Sequence, residues 1–151
     1  MTRMPIQPAP CLRHDDAIAI AIHSMLESGL PALPVVNDNG VLVGLFGERE
    51  FLGALFPGYV RELGYAGFVS GELDEVLEKR ATCAHEPVSQ HMNTEHVSVA
   101  DDFSDVSLAE TFLHHRVVVV PVERDGRPLG VVTRSAFFRR LAEGFLKRAD
   151  S

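Results

Sequence analysis

The stretches LPVVNDNGVLVGLFGEREF, Leu33–Phe51, and VPVERDGRPLGVVTRSAF, Val120–Phe137, are two copies of one pattern. Each runs through an apolar residue, proline, valine, a polar turn with glycine, a short strand, a second glycine and three strand residues before a helix start. Pro34 aligns with Pro121, Gly40 with Gly126 and Gly44 with Gly130, the second turn being one residue shorter. NDNG and RDG supply Asn, Asp and Gly where a tight hairpin needs positive φ, with β-branched residues on either side. Each copy therefore predicts a two-stranded hairpin. A lone hairpin is only marginally stable in water, so other elements must cover both.

Helices flank the hairpins. DDFSDVSLAETFLHH carries Val106, Ala109, Phe112 and Leu113 at helical spacing, with Asp102 or Ser104 as N-cap. In DDAIAIAIHSMLESG, Ile18, Ile20 and Ile22 alternate with alanine as a buried strand would. The stripe Ile18, Ile22, Met25 and Leu26, a cap at Asp15 or Asp16 and a stop at Gly29 favour a helix. After the second hairpin, Phe137 or Phe138 with Leu141, Phe145 and Leu146 predicts a last amphipathic helix. Between the copies lies a long connection, including YVRELGYAGFVSG and a short helix at ELDEVLEKR, read as an ordered insert packed on the core. EPVSQHMN follows as a helical lead-in to strand HVSV, with Val97 and Val99 facing inward.

The chain has 151 residues, 46% hydrophobic and 23% charged, enough to bury a single core. Its net charge of -7 opposes non-specific binding to nucleic acid or anionic membranes. No apolar run has the length of a spanning helix, and the first residues lack the apolar centre of a signal peptide. Two cysteines, Cys11 and Cys83, are too few for a disulfide framework. A cytoplasmic protein is expected.

The order helix, LPVV-type strand, glycine turn, GLFGEREF or GVVTRSAF, helix, repeated once and preceded by PVSQHMN, resembles a tandem CBS-domain pair, or Bateman module. The resemblance divides the chain into a first repeat at 11–56, a connector at 57–86 and a second repeat at 87–147. It implies an α/β fold in which the two repeats pack through short sheets about a pseudo-two-fold axis. It also implies a regulatory module without catalytic residues, clefts of the kind that take adenine nucleotides, and a homodimer that signals to a regulated protein. With the second repeat reaching close to the last residue, no fused enzyme, channel or DNA-binding domain is expected. AMP, ADP, ATP and S-adenosylmethionine are the candidate ligands.

A strand ending in Ser or Thr at a helix start offers an anion a hydroxyl, unpaired N–H groups and the positive end of the helix dipole. A carboxylate three residues on can accept both hydroxyls of a ribose. Thr133 fills the hydroxyl position of the second copy, where Ala136 stands in place of the carboxylate. In the first copy Gly47 replaces the hydroxyl and Glu50 keeps the carboxylate. Thr133 is thus a ligand contact or a plain helix cap, and Glu50 a ligand contact or a solvated first-turn acid. Arg134, with Arg139 and Arg140 on the same helix, offers charge to a phosphate, or forms a solvated basic face. By the resemblance, a base would lie against Val97, Ser98 and Val99 and against Val119 to Pro121. Cys83, His85, His91 and His96 cluster in sequence, but their spacing is poor for zinc and no metal is expected. Neither a Gly-x-Ser-x-Gly elbow nor a dinucleotide fingerprint is present.

Overall fold

The computed structural model describes residues 3–57 and 73–150. The first repeat contains β1 (Leu12–Arg13), α1 (Ile18–Ser28), β2 (Ala32–Val36), β3 (Leu42–Gly47) and α2 (Glu48–Leu55). After the connector helix α3 (Leu73–Lys79), the second repeats the order as β4 (Val99–Ala100), α4 (Asp105–His114), β5 (Val119–Arg124), β6 (Arg127–Thr133) and α5 (Arg134–Ala149). Each repeat forms a three-stranded sheet with one parallel and one antiparallel pairing, in the orders β1-β2-β3 and β4-β5-β6.

Both hairpins form where turn chemistry places them. In the first, the Asn37 side-chain oxygen accepts from the N–H groups of Asn39 and Val41, and Gly40 has φ +78°. In the second, Asp125 and Gly126 occupy left-handed φ values of +53° and +80°, as a two-residue primed turn requires. The turns also meet: Leu42 N–H donates to the Gly126 carbonyl at 2.8 Å.

One pairing has no precedent in the repeat pattern. Residues ahead of the first strand of each repeat join the sheet of the other one. Gln7 exchanges hydrogen bonds with Val131 of β6, both 2.8 Å, and Asn93 does the same with Leu45 of β3 at 2.8 and 3.0 Å. Gln7 and Asn93 hold equivalent places because their partners Val131 and Leu45 are equivalent under the register that equates Gly44 with Gly130. Gly44 and Gly130 admit these crossing segments because neither has a Cβ; at Gly130 it would lie 2.4 Å from the Gln7 carbonyl oxygen.

The larger core joins the repeats, setting Leu33, Val35, Leu45 and Phe46 against Val119 and Val131. A smaller one gathers Met4, Phe103, Leu108, Val122, Val132 and Phe137 under α4 and α5, where the rings of Phe112 and Phe137 stack at 5.6 Å.

The helices lie where expected, but their faces require correction. α1 begins after Ala17 without a side-chain cap; Asp16 instead accepts from the Arg13 N–H at 2.8 Å. Gly29 ends it in the left-handed conformation. Ile18, Ala21 and Met25 face inward, whereas Leu26 is 77% exposed. Ser104 caps α4, which buries Leu108 and leaves Val106 and Leu113 in solvent. Of the expected α5 stripe only Phe137 is buried; Phe138, Leu141, Phe145 and Leu146 are exposed. Helical spacing identifies an apolar face, but the neighbouring sheet decides how much of it is covered. Val97 and Val99 are half-buried, and the strand near them is only two residues long.

The lead-in forms a short 3-10 helix at Val88–Gln90. In the connector, α3 buries Val76, and the Arg80 guanidinium donates to the Ala54 carbonyl at 2.8 and 3.2 Å. The stretch YVRELGYAGFVSG lies outside the described residues.

Candidate functional site

The pseudo-symmetry creates two clefts, each at the junction of a hairpin end, a crossing segment and the opposite repeat. The first, about 730 Å3, lies along α5 from Thr133 and Ala136 to Lys147. Met4 and Gln7 of the N-terminal arm line it, as do Gly29, Leu30 and Pro31 of the turn after α1. The second, about 280 Å3, contains Gly47 and Glu50, the crossing Asn93, and Arg116 to Val118 of the turn after α4. Gly47, Arg49, Glu50 and Arg116 to Val118 of the second correspond to Thr133, Ser135, Ala136 and Gly29 to Pro31 of the first, whereas Met4 and the α5 residues from Arg139 onward have no counterpart there.

Thr133 is buried at the start of α5. Its hydroxyl oxygen accepts from the Ala136 N–H at 3.2 Å and from the Ser135 hydroxyl at 3.5 Å. The side chain is therefore a working N-cap whose own O–H proton remains available to an acceptor in the cleft. Glu50 lies in the other cleft, with one carboxylate oxygen accepting from the Gly47 N–H at 2.9 Å, so it closes the start of α2. The hydroxyl and the carboxylate of the ligand pattern thus occupy different clefts.

The other expected contacts are dispersed. Val119 borders the Glu50 cleft. Arg134 is exposed beside a depression of about 440 Å3 that also touches Pro31, Val118, Ser135 and Phe138. Val97, Ser98 and Pro121 line neither cleft; the Ser98 hydroxyl donates to Glu123 at 2.9 Å, and Pro121 is buried opposite Val131. The arm residues Met4 and Gln7, and Lys147 near the end of α5, escaped sequence reasoning. No sequence pattern marked the arm, because a single residue makes its bridge to β6.

Charge separates the clefts. Arg139, Arg140 and Lys147 line the first with a single acid, Glu143, while Glu48 and Glu50 balance Arg49 and Arg116 in the second. The positive end of α5 adds to the first. Arg140 is held by Asp105 at 3.1 Å, and the other Asp105 oxygen accepts from the Met4 N–H at 2.7 Å. The arm is anchored further by Arg3, which donates to the carbonyls of Asp101 and Phe103 and lies 4.3 Å over the Phe103 ring.

Among the described residues no three His, Cys, Asp or Glu side chains converge as a metal would require. His91 pairs with Glu86 at 2.6 Å, and burial pushes the Cys83 thiol up, away from the thiolate that binds metal.

The CBS domain family matches residues 1–57 and 88–143, and the chain belongs to that family. The CBS domain of a CBS domain containing membrane protein from Sphaerobacter thermophilus is 30% identical, with a TM-score of 0.68 over 88% of this chain and 82% of that one. The structure of CBSX2 in complex with AMP shares 20% identity and a TM-score of 0.65 over 91% and 92% of the two chains. A Methanocaldococcus jannaschii protein, described as a proposed archaeal homolog of γ-AMPK, gives 20% identity and a TM-score of 0.72, covering 91% of this chain and 48% of that one. The last two likenesses concern the fold. No curated protein sequence matches the chain significantly. Among the described residues no helix is long and apolar enough to cross a membrane.

Proposed function

We propose that this chain is a non-catalytic cytoplasmic sensor whose Thr133 cleft binds an adenine nucleotide and whose changed geometry is read by a regulated protein. The observation that carries the proposal is the composition of the cleft wall: α5 supplies one side, while the arm and the turn after α1 supply the other. A ligand there touches both repeats, and can shift their arrangement by binding one arrangement more tightly than another. The AMP held by CBSX2, a protein of the same fold, supports this choice of ligand. The excess of cations along α5 supports placing it in this cleft. Calorimetry and thermal shift with AMP, ADP, ATP and S-adenosylmethionine test it: heat and a raised Tm are expected with at least one, and their absence at millimolar concentrations would sink it.

A second reading, a scaffold module without a ligand, has the exposed apolar residues of α5 in its favour. Phe138, Leu141 and Phe145 recur at helical spacing and stand 68%, 48% and 70% exposed. We assign this face to a homodimer. Phe138→Glu should convert the dimer to a monomer in light scattering, and a wild-type monomer at micromolar concentration would exclude the assignment.

A further inference from the structure

We infer that Asn39, at the tip of the first hairpin, is a self-modification site: its side-chain amide is displaced by the Gly40 nitrogen, and Arg127 of the other repeat promotes the reaction and directs it towards isoaspartate. The inference does not rest on either cleft holding a ligand.

Asparagine is a chemically labile residue, and the three in this chain are held differently. The Asn37 side-chain oxygen accepts from the N–H groups of Asn39 and Val41, and that of Asn93 accepts from the Glu95 N–H at 2.9 Å. Asn39 is exposed, and its side-chain amide has no hydrogen-bond partner among the described residues. It alone is followed by glycine, so no side chain shields the neighbouring main-chain nitrogen.

Arg127 supplies what a solitary Asn-Gly turn lacks. Its guanidinium reaches over from the second hairpin and donates to the Asn39 main-chain carbonyl at 2.6 Å. It lies so close to the turn that a Cβ on Gly40 would come within 2.6 Å of it. When the Gly40 nitrogen gives up its proton to water, negative charge spreads onto that same carbonyl oxygen, where a charge-assisted hydrogen bond stabilises it. The nitrogen then attacks the Asn39 Cγ. A C–N bond forms, the side-chain amide leaves as ammonia with a proton from water, and a succinimide ring closes.

Water reopens the ring at one of its two carbonyls. Arg127 polarises the main-chain one, and attack there routes the chain through Cγ and turns the held carbonyl into a carboxylate beside the guanidinium. The opposing contact is the Gly40 N–H bond to the Asn37 carbonyl at 3.0 Å, which local opening of a surface turn releases. The lengthened main chain falls where the repeats meet, since Leu42 donates to the Gly126 carbonyl just beyond it.

Peptide mapping by mass spectrometry on the full chain, held folded for weeks at mildly alkaline pH beside a urea-unfolded sample, reads the reaction. Asn39 is expected to convert in the folded chain while Asn37 and Asn93 stay intact, with isoaspartate as the main product. Arg127→Gln alters an exposed side chain and should slow the folded reaction roughly threefold, the scale of an exposed charged contact, and lower the isoaspartate share. In urea both chains should convert alike. An Asn39 that stays intact in the folded chain while the unfolded one converts overturns the inference. So does a folded rate that Arg127→Gln fails to lower, or a product ratio that it leaves unchanged. A rate difference that persists in urea also overturns it, because no contact between the turns would then be involved.

Discussion

Gly47 and Thr133 stand at equivalent ends of β3 and β6, yet the chain solves the same local problem there in opposite ways. Each precedes a helix whose first N–H groups need acceptors. At Thr133 the side-chain hydroxyl caps α5, leaving the position one turn on free to be alanine. At Gly47 a Cβ would lie 2.5 Å from the Pro31 carbonyl oxygen and 2.6 Å from the Ala32 Cβ, so no hydroxyl-bearing side chain fits. There Glu50 reaches back to the Gly47 N–H instead. Each half of the divided ligand pattern is thus also a sufficient helix start. The comparison teaches that retention of one half need not reflect ligand binding, and it moves the functional argument from the motif to the charge and walls of the cleft.

The comparison breaks most visibly at the glycines beneath the crossing segments. Gly130→Ala would drive a Cβ into the Gln7 carbonyl and the Ile6 side chain, costing about 3 kcal/mol in urea denaturation and displacing the arm. Gly44→Ala first meets the flexible Met92 thioether at 2.8 Å and should cost about 1 kcal/mol. Equal losses would mean that the two crossings are held alike. Ala136→Asp would unite hydroxyl and carboxylate in one cleft, and calorimetry should show roughly tenfold tighter adenosine binding from one charge-assisted hydrogen bond. An unchanged affinity would place the ribose elsewhere.

Smaller effects sharpen the contrast. Thr133→Val removes the cap and should cost about 1 kcal/mol in the same denaturation, with any additional loss of nucleotide affinity reporting a ligand contact. Glu50→Ala should destabilise by a similar or smaller amount without altering binding in the Thr133 cleft. Burial raises the Cys83 thiol above its ordinary value of 9.0. Its contribution to stability is full below that value and is lost as pH rises through the folded-state value. Thermal melts should therefore show a slight alkaline decline that Cys83→Ala abolishes.

Much of the fold was legible because it is written locally. Asn37, Gly40, Asp125 and Gly126 set the turns by their own backbone preferences, and Gly29 and Ser104 mark helix ends. The direction of side chains was less legible: Leu26, Val106, Leu113 and Phe138 share helical spacing with core residues, but which face meets a sheet depends on distant partners. The Gln7 and Asn93 pairings were invisible to periodicity, since one residue of each segment makes the bridge. For the cleft, sequence supplied Thr133 and the arginines of α5. The opposite wall comes from Met4 to Gln7 and Gly29 to Pro31, which only the folded chain brings together.

The crossing of Gln7 to Val131 also sets an order of events during synthesis. The arm is made more than a hundred residues before the strand that receives it. Non-local pairings of this kind close slowly and only after both partners exist. A nascent chain can assemble β1, β2 and β3 while the Thr133 cleft still lacks its far side. The cleft is therefore complete only after β6 and α5 have been made, and a chain stopped before them would lack the α5 wall.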